Sequence, residues 1–237
     1  MKTTDTLIAL TAVLETRHCD AIVVLGDMRD QPRLIRDLQA TNVPVVGLWL
    51  GSRLQGIRSV NVDNRAGIIQ ALDYLFGQGH RRIAFVGGRT LGDIKERRAA
   101  FVETMAKRGE PIEDGYIQPA INTPAGGGEA LRALMKLPKP PTAIVAATDV
   151  LAIGILRAAT TLGLSVPGQI SVTGFDDIPW AELMIPSLTT LRMPVSEMIA
   201  QALAMATPAP GADQIAHRLL QASLVVRDST GPAPTGR

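Results

Sequence analysis

The sequence predicts an α/β protein whose parallel sheets are flanked by helices. Two observations carry that prediction. Short runs rich in Val, Ile and Leu, bounded by turn residues or charges, read as strands buried on both faces. They alternate with longer stretches whose apolar residues recur every three or four positions, which is the spacing of strand–helix–strand units. In chain order, residues 6–17 place Leu7, Leu10 and Leu14 on one helical face. Strands are expected at 21–25, 43–49 and 59–62. A helix at 66–76 follows, with Ile69, Leu72 and Phe76 in register. A strand at 82–86 leads into a helix at 96–108. A helix at 128–137, a strand at 143–147 and a helix at 150–162 come next. The last expected elements are a strand at 170–174 and a helix at 195–205.

Composition narrows the function classes. The chain has 237 residues, 46% of them hydrophobic and 19% charged, with a mean hydropathy of +0.17, so it can bury an ample core. Its net charge of only +2 gives no bulk positive field for non-specific nucleic-acid binding. The longest apolar stretch, 142–164, is interrupted by Asp149 and Arg157, so no membrane span is expected. One cysteine, Cys19, excludes an internal disulfide framework, and it reads as a small buried hydrophobe. His18, His80 and His217 are too scattered for a metal motif, so no metal is expected. Residues 1–5 open without the apolar core of a signal peptide, and the expected location is cytoplasmic.

Two features point to two lobes. Asp63-Asn64 precedes a helix, and Gly77-Gln78-Gly79-His80 precedes a new strand, as at the end of one sheet and the start of another. The β-rich segment 186–194, bracketed by prolines, suits a return crossover. The expected division is 1–64 with about 188–194 in the N-terminal lobe, and 65–187 with 195–228 in the C-terminal lobe. The Pro/Gly-rich residues 229–237 read as a flexible tail.

Catalytic motifs are tested and set aside. A dinucleotide fingerprint starting at Gly87 would need glycine where Arg89 stands. A phosphate loop spanning Gly87 and Gly92 would meet Asp93 in place of its lysine. There is no G-x-S-x-G elbow. His80, beside Arg81 and Arg82, reads as a capping or surface residue. No catalytic residue and no cofactor are expected.

Resemblance supplies the rest. Val62-Asp63-Asn64-Arg65-Ala66-Gly67, Gly79-His80-Arg81-Arg82-Ile83-Ala84-Phe85-Val86-Gly87-Gly88 and Glu96-Arg97-Arg98-Ala99-Ala100-Phe101 occur in that order. Pro141-Thr142-Ala143-Ile144, Ile170-Ser171-Val172-Thr173-Gly174-Phe175-Asp176-Asp177, Pro186-Ser187-Leu188-Thr189-Thr190 and Leu224-Val225-Val226-Arg227 follow. Together these blocks resemble the effector-binding core of LacI/GalR transcription regulators, across nearly the whole chain. The resemblance implies a two-lobe type I periplasmic-binding-protein-like fold and a small, sugar-like effector held between lobes. It also implies a homodimer, and control of operator DNA through a helix-turn-helix headpiece missing from this chain. The first strands of the N-terminal lobe are missing too, so that lobe is expected to be incomplete. The strand at 21–25 should then have an exposed edge or a substitute partner. The chain alone is expected not to bind DNA specifically. The alternative is a stand-alone solute-binding protein of a transport or chemosensory system. An upstream reading frame encoding a helix-turn-helix would separate the two.

The resemblance also marks candidate ligand-binding residues, each with a plainer alternative. Arg97 matches the family arginine that grips the effector; otherwise it is a helix-surface ion pair with Glu96 or Asp93. Asp176 matches a hydroxyl-binding aspartate; otherwise it is a helix cap, although Asp177, two before Pro179, suits that role better. Thr148 stands where the family often has Asn or Ser. Asp149 reads as the cap of the 150–162 helix more than as a contact. Asn64 caps a helix, lines the cleft rim, or does both. Trp49-Leu50 replaces a usual Asp-Arg pair, and Trp49 either stacks on an apolar ligand face or sits in the core. A ligand with one polar edge and one apolar face is therefore expected to fit better than a fully hydroxylated hexose.

Overall fold

The Val-, Ile- and Leu-rich runs form the strands of two sheets in the computed structural model, which describes residues 19–26, 28, 31–49, 54, 56–88, 92–207 and 217–235. In order the first elements are β1 (Ile22–Leu25), α1 (Pro32–Ala40), β2 (Val45–Leu48), β3 (Arg58–Val62), α2 (Asn64–Gly77) and β4 (Ile83–Val86). Next come α3 (Gly92–Lys107), β5 (Ile117–Gln118), α4 (Pro124–Leu134), β6 (Ala143–Ala146), α5 (Asp149–Thr161) and β7 (Ser171–Asp176). The last are α6 (Pro179–Leu183), β8 (Thr189–Arg192), α7 (Val195–Ala206), β9 (His217–Leu220) and β10 (Ser223–Val225). The helix expected at 6–17 lies outside the described residues.

The chain divides into two units, Met1–Val62 with Pro194–Leu220 and Asp63–Met193 with Gln221–Arg237. The first holds a parallel sheet in the order β1-β2-β3-β9. On one face Leu34 and Leu38 of α1 bury against Met28 and Ile57; on the other, Met198, Ala202 and Ala206 of α7 bury against Val46, Leu48 and Val60. Among the described residues β1 is an edge strand, with Val23 and Leu25 exposed.

The second unit holds a sheet in the order β10-β8-β7-β6-β4-β5, parallel except where β10 runs against β8. β4 and β6 are buried at every residue, as central strands of a sheet covered on both faces must be. Helices α4 and α5 approach at backbone distance: a Cβ added to Gly154 would lie 1.9 Å from the Pro124 carbonyl oxygen.

Three expectations are corrected. Residues 189–192 form β8 inside the six-stranded sheet, while 195–206 and 217–220 supply α7 and β9 to the first unit. The crossover therefore falls at 193/194 and 220/221, and the first boundary at 62/63, not 64/65. Periodicity shows that α7 has an apolar stripe, but not which sheet the stripe meets. The expected tail is pinned. Val172 N–H donates to Ser229 O (2.8 Å), Ser229 Oγ–H donates to Val172 O (2.6 Å), and Ala233 N–H donates to Gln78 O (2.8 Å). His80 is fully buried, not a surface residue. Its Nε2 lies 3.0 Å from Gly231 O and its Nδ1 2.9 Å from Thr142 Oγ1, so the neutral ring donates to the carbonyl and accepts from the hydroxyl. Burial lowers its pKa, which keeps it neutral.

Candidate functional site

The carboxyl ends of β6 and β7 and the amino end of α2 converge on Arg97, which projects from α3. In a parallel sheet this is the end where loops and helix N-termini gather, and where ligands bind. Arg97 is only 3% exposed, so the alternative of a helix-surface ion pair with Glu96 or Asp93 fails. Its guanidinium lies 3.5 Å over the Phe175 ring. Nε–H donates to Asn64 Oδ1 at 2.8 Å, and Nη1 donates to Ala147 O at 2.7 Å and to Asp176 Oδ1 at 3.3 Å. Among the described residues Nη2 reaches only Met193 Sδ, at 4.0 Å.

Asn64 is the connector. It takes Arg97 Nε–H on its oxygen and donates through Nδ2 to Glu96 Oε2 at 2.8 Å and Asp93 Oδ1 at 3.3 Å. Asp63, not Asn64, caps α2, accepting Ala66 N–H at 2.9 Å.

Asp176 ends β7 with φ 120°, and Asp177 follows with φ 57°. Two consecutive non-glycine residues at positive φ are uncommon and held only by their surroundings. Asp177 is not a helix cap. Arg192 Nε donates to it at 2.5 Å and Arg227 Nη1 pairs with it at 2.8 Å. Burial pushes its carboxyl up, but the two arginines outweigh burial and leave it below the usual value. Burial raises Asp176 to about 6 against the pull of Arg97, and a quarter of its side chain (24%) stays exposed.

Thr148 takes the capping role expected of Asp149, and Asp149 turns inward. Thr148 is the cap of α5, its Oγ1 accepting Leu151 N–H at 3.3 Å while donating to Asn122 Oδ1 at 2.6 Å. Asp149 is the first residue of the helix and fully buried. It accepts the Thr190 hydroxyl at 2.5 Å and the Ile178 N–H at 2.9 Å. Burial, then the negative Asp176 and Asp177, raise it to about 7 despite those two donors. Space for its carboxylate comes from Gly174, where a Cβ would lie 2.1 Å from Asp149 Oδ1.

Arg97, Asp176 and Asn64 thus form one bonded group, and Asp149 braces the turn that carries Asp176. Trp49 belongs to the other unit. It has φ 56° and packs, partly buried, on the cluster of Val46, Leu48 and Val60, which is the core alternative; its indole N–H finds no acceptor among the described residues. Leu50 lies outside the described residues. Sequence reasoning missed Phe175 and Thr190 as supports, and named Asp93 as an ion-pair partner of Arg97 where it instead accepts from Asn64. An aromatic residue directly before Asp176 was the one available signal. No group of three or more His, Cys, Asp or Glu among the described residues is placed to hold a metal, and no described helix is long and apolar enough to cross a membrane.

Residues 72–230 match the family described as periplasmic binding protein-like domain. The transcriptional repressor CytR of Escherichia coli K12 is 28% identical over 222 residues, covering 92% of this chain; the chain spans 65% of CytR, just under two thirds of its length. The structure of a LacI transcriptional regulator from a Rhodococcus species is 31% identical with a TM-score of 0.84, covering 96% of this chain and 83% of that one. A sugar-binding regulator of the LacI family from Escherichia coli, complexed with phosphate, is 29% identical with a TM-score of 0.80, covering 98% and 83%. On these matches the chain belongs to the LacI family of transcriptional regulators, as the part that carries their periplasmic binding protein-like domain.

Proposed function

We propose that this chain is the effector-sensing and dimerisation core of a transcription regulator, binding a small, neutral, hydroxylated molecule at Arg97 and Asp176. The observation that carries this is the division of labour around Arg97. Nε and Nη1 are committed to Asn64, Ala147 and Asp176, leaving Nη2, among the described residues, with only a long contact to the Met193 sulfur. One donor edge beside one partly exposed carboxylate suits a hydroxyl, which donates and accepts at once. It does not suit a ligand carboxylate or phosphate, which would need the two-pronged fork. Asp176 on the guanidinium, with Asp93 and Glu96 on the Asn64 amide that joins it, also opposes an anionic ligand. The Escherichia coli relative described as sugar-binding supports the same class.

A second copy of the chain is the proposed partner. Trp180, Leu183 and Ile185 are 64%, 70% and 91% exposed on and just after α6, a concentration of large apolar side chains that a protein–protein contact would cover. Effector binding would then act on operator DNA through a DNA-binding headpiece, and the setting is cytoplasmic.

A thermal-shift screen over neutral sugars, nucleosides, polyols and sugar acids tests the ligand class, because a ligand of the folded state raises the melting temperature by mass action. A neutral hydroxylated compound should stabilise the protein, and Arg97→Ala should abolish that shift. Stabilisation by sugar acids alone would overturn the reading.

A further inference from the structure

We propose a second small-molecule site in the Asp63–Met193 unit, at the amino ends of β4, β6 and β7, for an apolar or aromatic monocarboxylate. A cavity of about 500 Å³ lies there, at the opposite ends of the strands from Arg97 and Asp176. Its volume is within the range of sites that hold small organic ligands. The walls are apolar and stiff: Met135, Leu164 and Ile170 on one side, and Pro138, Pro140 and Pro141 in the loop that enters β6. Prolines fix their own φ, so this loop loses little freedom when a ligand binds.

The polar groups of the lining choose the sign of the ligand. Arg82, Lys139 and Gln169 contribute a guanidinium, an ammonium and an amide; the Lys139 ammonium also faces Glu113 at 3.9 Å, but no carboxylate is among the described residues of the lining itself. Four acceptors there are already engaged. Pro140 O accepts Arg82 Nε–H at 3.2 Å, Lys139 O accepts the Tyr116 hydroxyl at 2.8 Å, and Gln169 Oε1 accepts Ser165 N–H at 2.9 Å. Thr142 Oγ1 is bonded to His80 at 2.9 Å. The cavity thus offers an apolar body and a donor-rich, cationic rim, which matches one anionic head on an apolar frame. A sugar would bury its hydroxyls against prolines without partners, at a cost in affinity.

The test is an amide-resolved NMR titration of the whole chain with benzoate as the probe, with benzyl alcohol and inorganic phosphate as controls. Benzoate should give saturable shifts centred on the amides of Thr142, Gln169 and Ile170, and each control should bind at least about tenfold more weakly. Arg82→Gln should weaken benzoate by about tenfold or more. Lys139→Gln, at a side chain 71% exposed and so neutral to folding, should weaken it less. Arg97→Ala should leave benzoate binding unchanged. Absence of saturable shifts at those three amides overturns the proposal. So does phosphate binding as well as benzoate, which would make the site a plain anion site, or benzoate binding that neither cation variant alters.

Discussion

Replacing Asp149 should disable the candidate site from behind, without touching any ligand. Asp149 is fully buried and holds two donors, the Thr190 hydroxyl and the Ile178 N–H. Asp149→Ala leaves both without an acceptor. A buried hydroxyl stranded in this way costs about 1–3 kcal/mol, and the half-buried amide about 1 kcal/mol, so roughly 2–4 kcal/mol together. For a chain of this size that lowers the melting temperature by about 5–15 °C. The Ile178 bond also restrains the turn in which Asp176 and Asp177 hold φ of 120° and 57°. Freed of it, the turn relaxes, and the Asp176 carboxyl moves from about 6 toward its ordinary value near 3.8 as it gains solvent. Asp149→Asn behaves differently. Its carbonyl still accepts Ile178 N–H, and its amide donates to Thr190 Oγ, so both bonds survive while the charge goes.

The pH dependence separates the two variants further. Asp149 is raised from 3.8 to about 7 in the fold, so its contribution to stability is present below pH 4 and is lost as pH rises through 7. Asp149→Asn should therefore gain on the wild type between pH 5 and pH 8. The assays are urea denaturation across that range and carbon-13 NMR titration of the Asp176 carboxyl. An alanine variant that folds with the wild-type Asp176 titration, or an asparagine variant that loses that titration as fully as alanine does, would refute the bracing role.

Other outcomes follow from the same contacts. His80 carries a lowered pKa in the fold, so the stability it contributes is present above its ordinary value of 6.5 and is lost as pH falls below it. Denaturation of His80→Gln and wild type should show a difference that shrinks toward pH 5; a difference that grows would contradict the neutral, doubly bonded ring. Gly154→Ala would place a Cβ 1.9 Å from the Pro124 carbonyl and should force α4 and α5 apart, costing several degrees of melting temperature or soluble expression, whereas Ala substitution at the unobstructed Gly77 should cost far less. The proposed dimer should appear in sedimentation of the wild type at tens of micromolar and be lost in Trp180→Glu with Ile185→Glu; a monomeric wild type would overturn the dimer, and an unchanged dimer would place its interface elsewhere.

What the sequence revealed, and what it hid, follows physical lines. β4, β6 and β7 were legible because strands covered on both faces need uninterrupted apolar runs such as Ile83-Ala84-Phe85-Val86. α1 was missed although Pro32 stands in its first turn and Leu34 and Leu38 lie four apart, since its mean character is polar. β9 was missed because it is an edge strand of four residues with Arg218 and Leu219 turned outward. The tail was misread because Pro and Gly usually mark mobility; here Ser229 and Thr230 are buried by long-range bonds that no local pattern encodes. Family resemblance nominated Arg97 and Asp176 as ligand contacts, but only the fold shows that Asn64 links Arg97 to Asp93 and Glu96, which stand 29 and 32 positions from Asn64.

The places where local rules fail coincide with the candidate site, and that coincidence is itself evidence for function. Helix α3 should carry Arg97 on a wet face, yet the guanidinium is buried on Phe175. The acid that starts α5 should cap it, yet Asp149 turns inward and leaves the cap to Thr148. The end of β7 should leave the sheet through glycine, yet Asp176 and Asp177 take positive φ where glycine would be unstrained. Each departure costs stability on its own. Together they hold one partly exposed carboxylate against one buried guanidinium at a fixed separation of 3.3 Å, which packing alone does not require. A ligand that bridges Asp176 and Arg97 would find both groups already oriented, so little of its binding energy would be lost in ordering them.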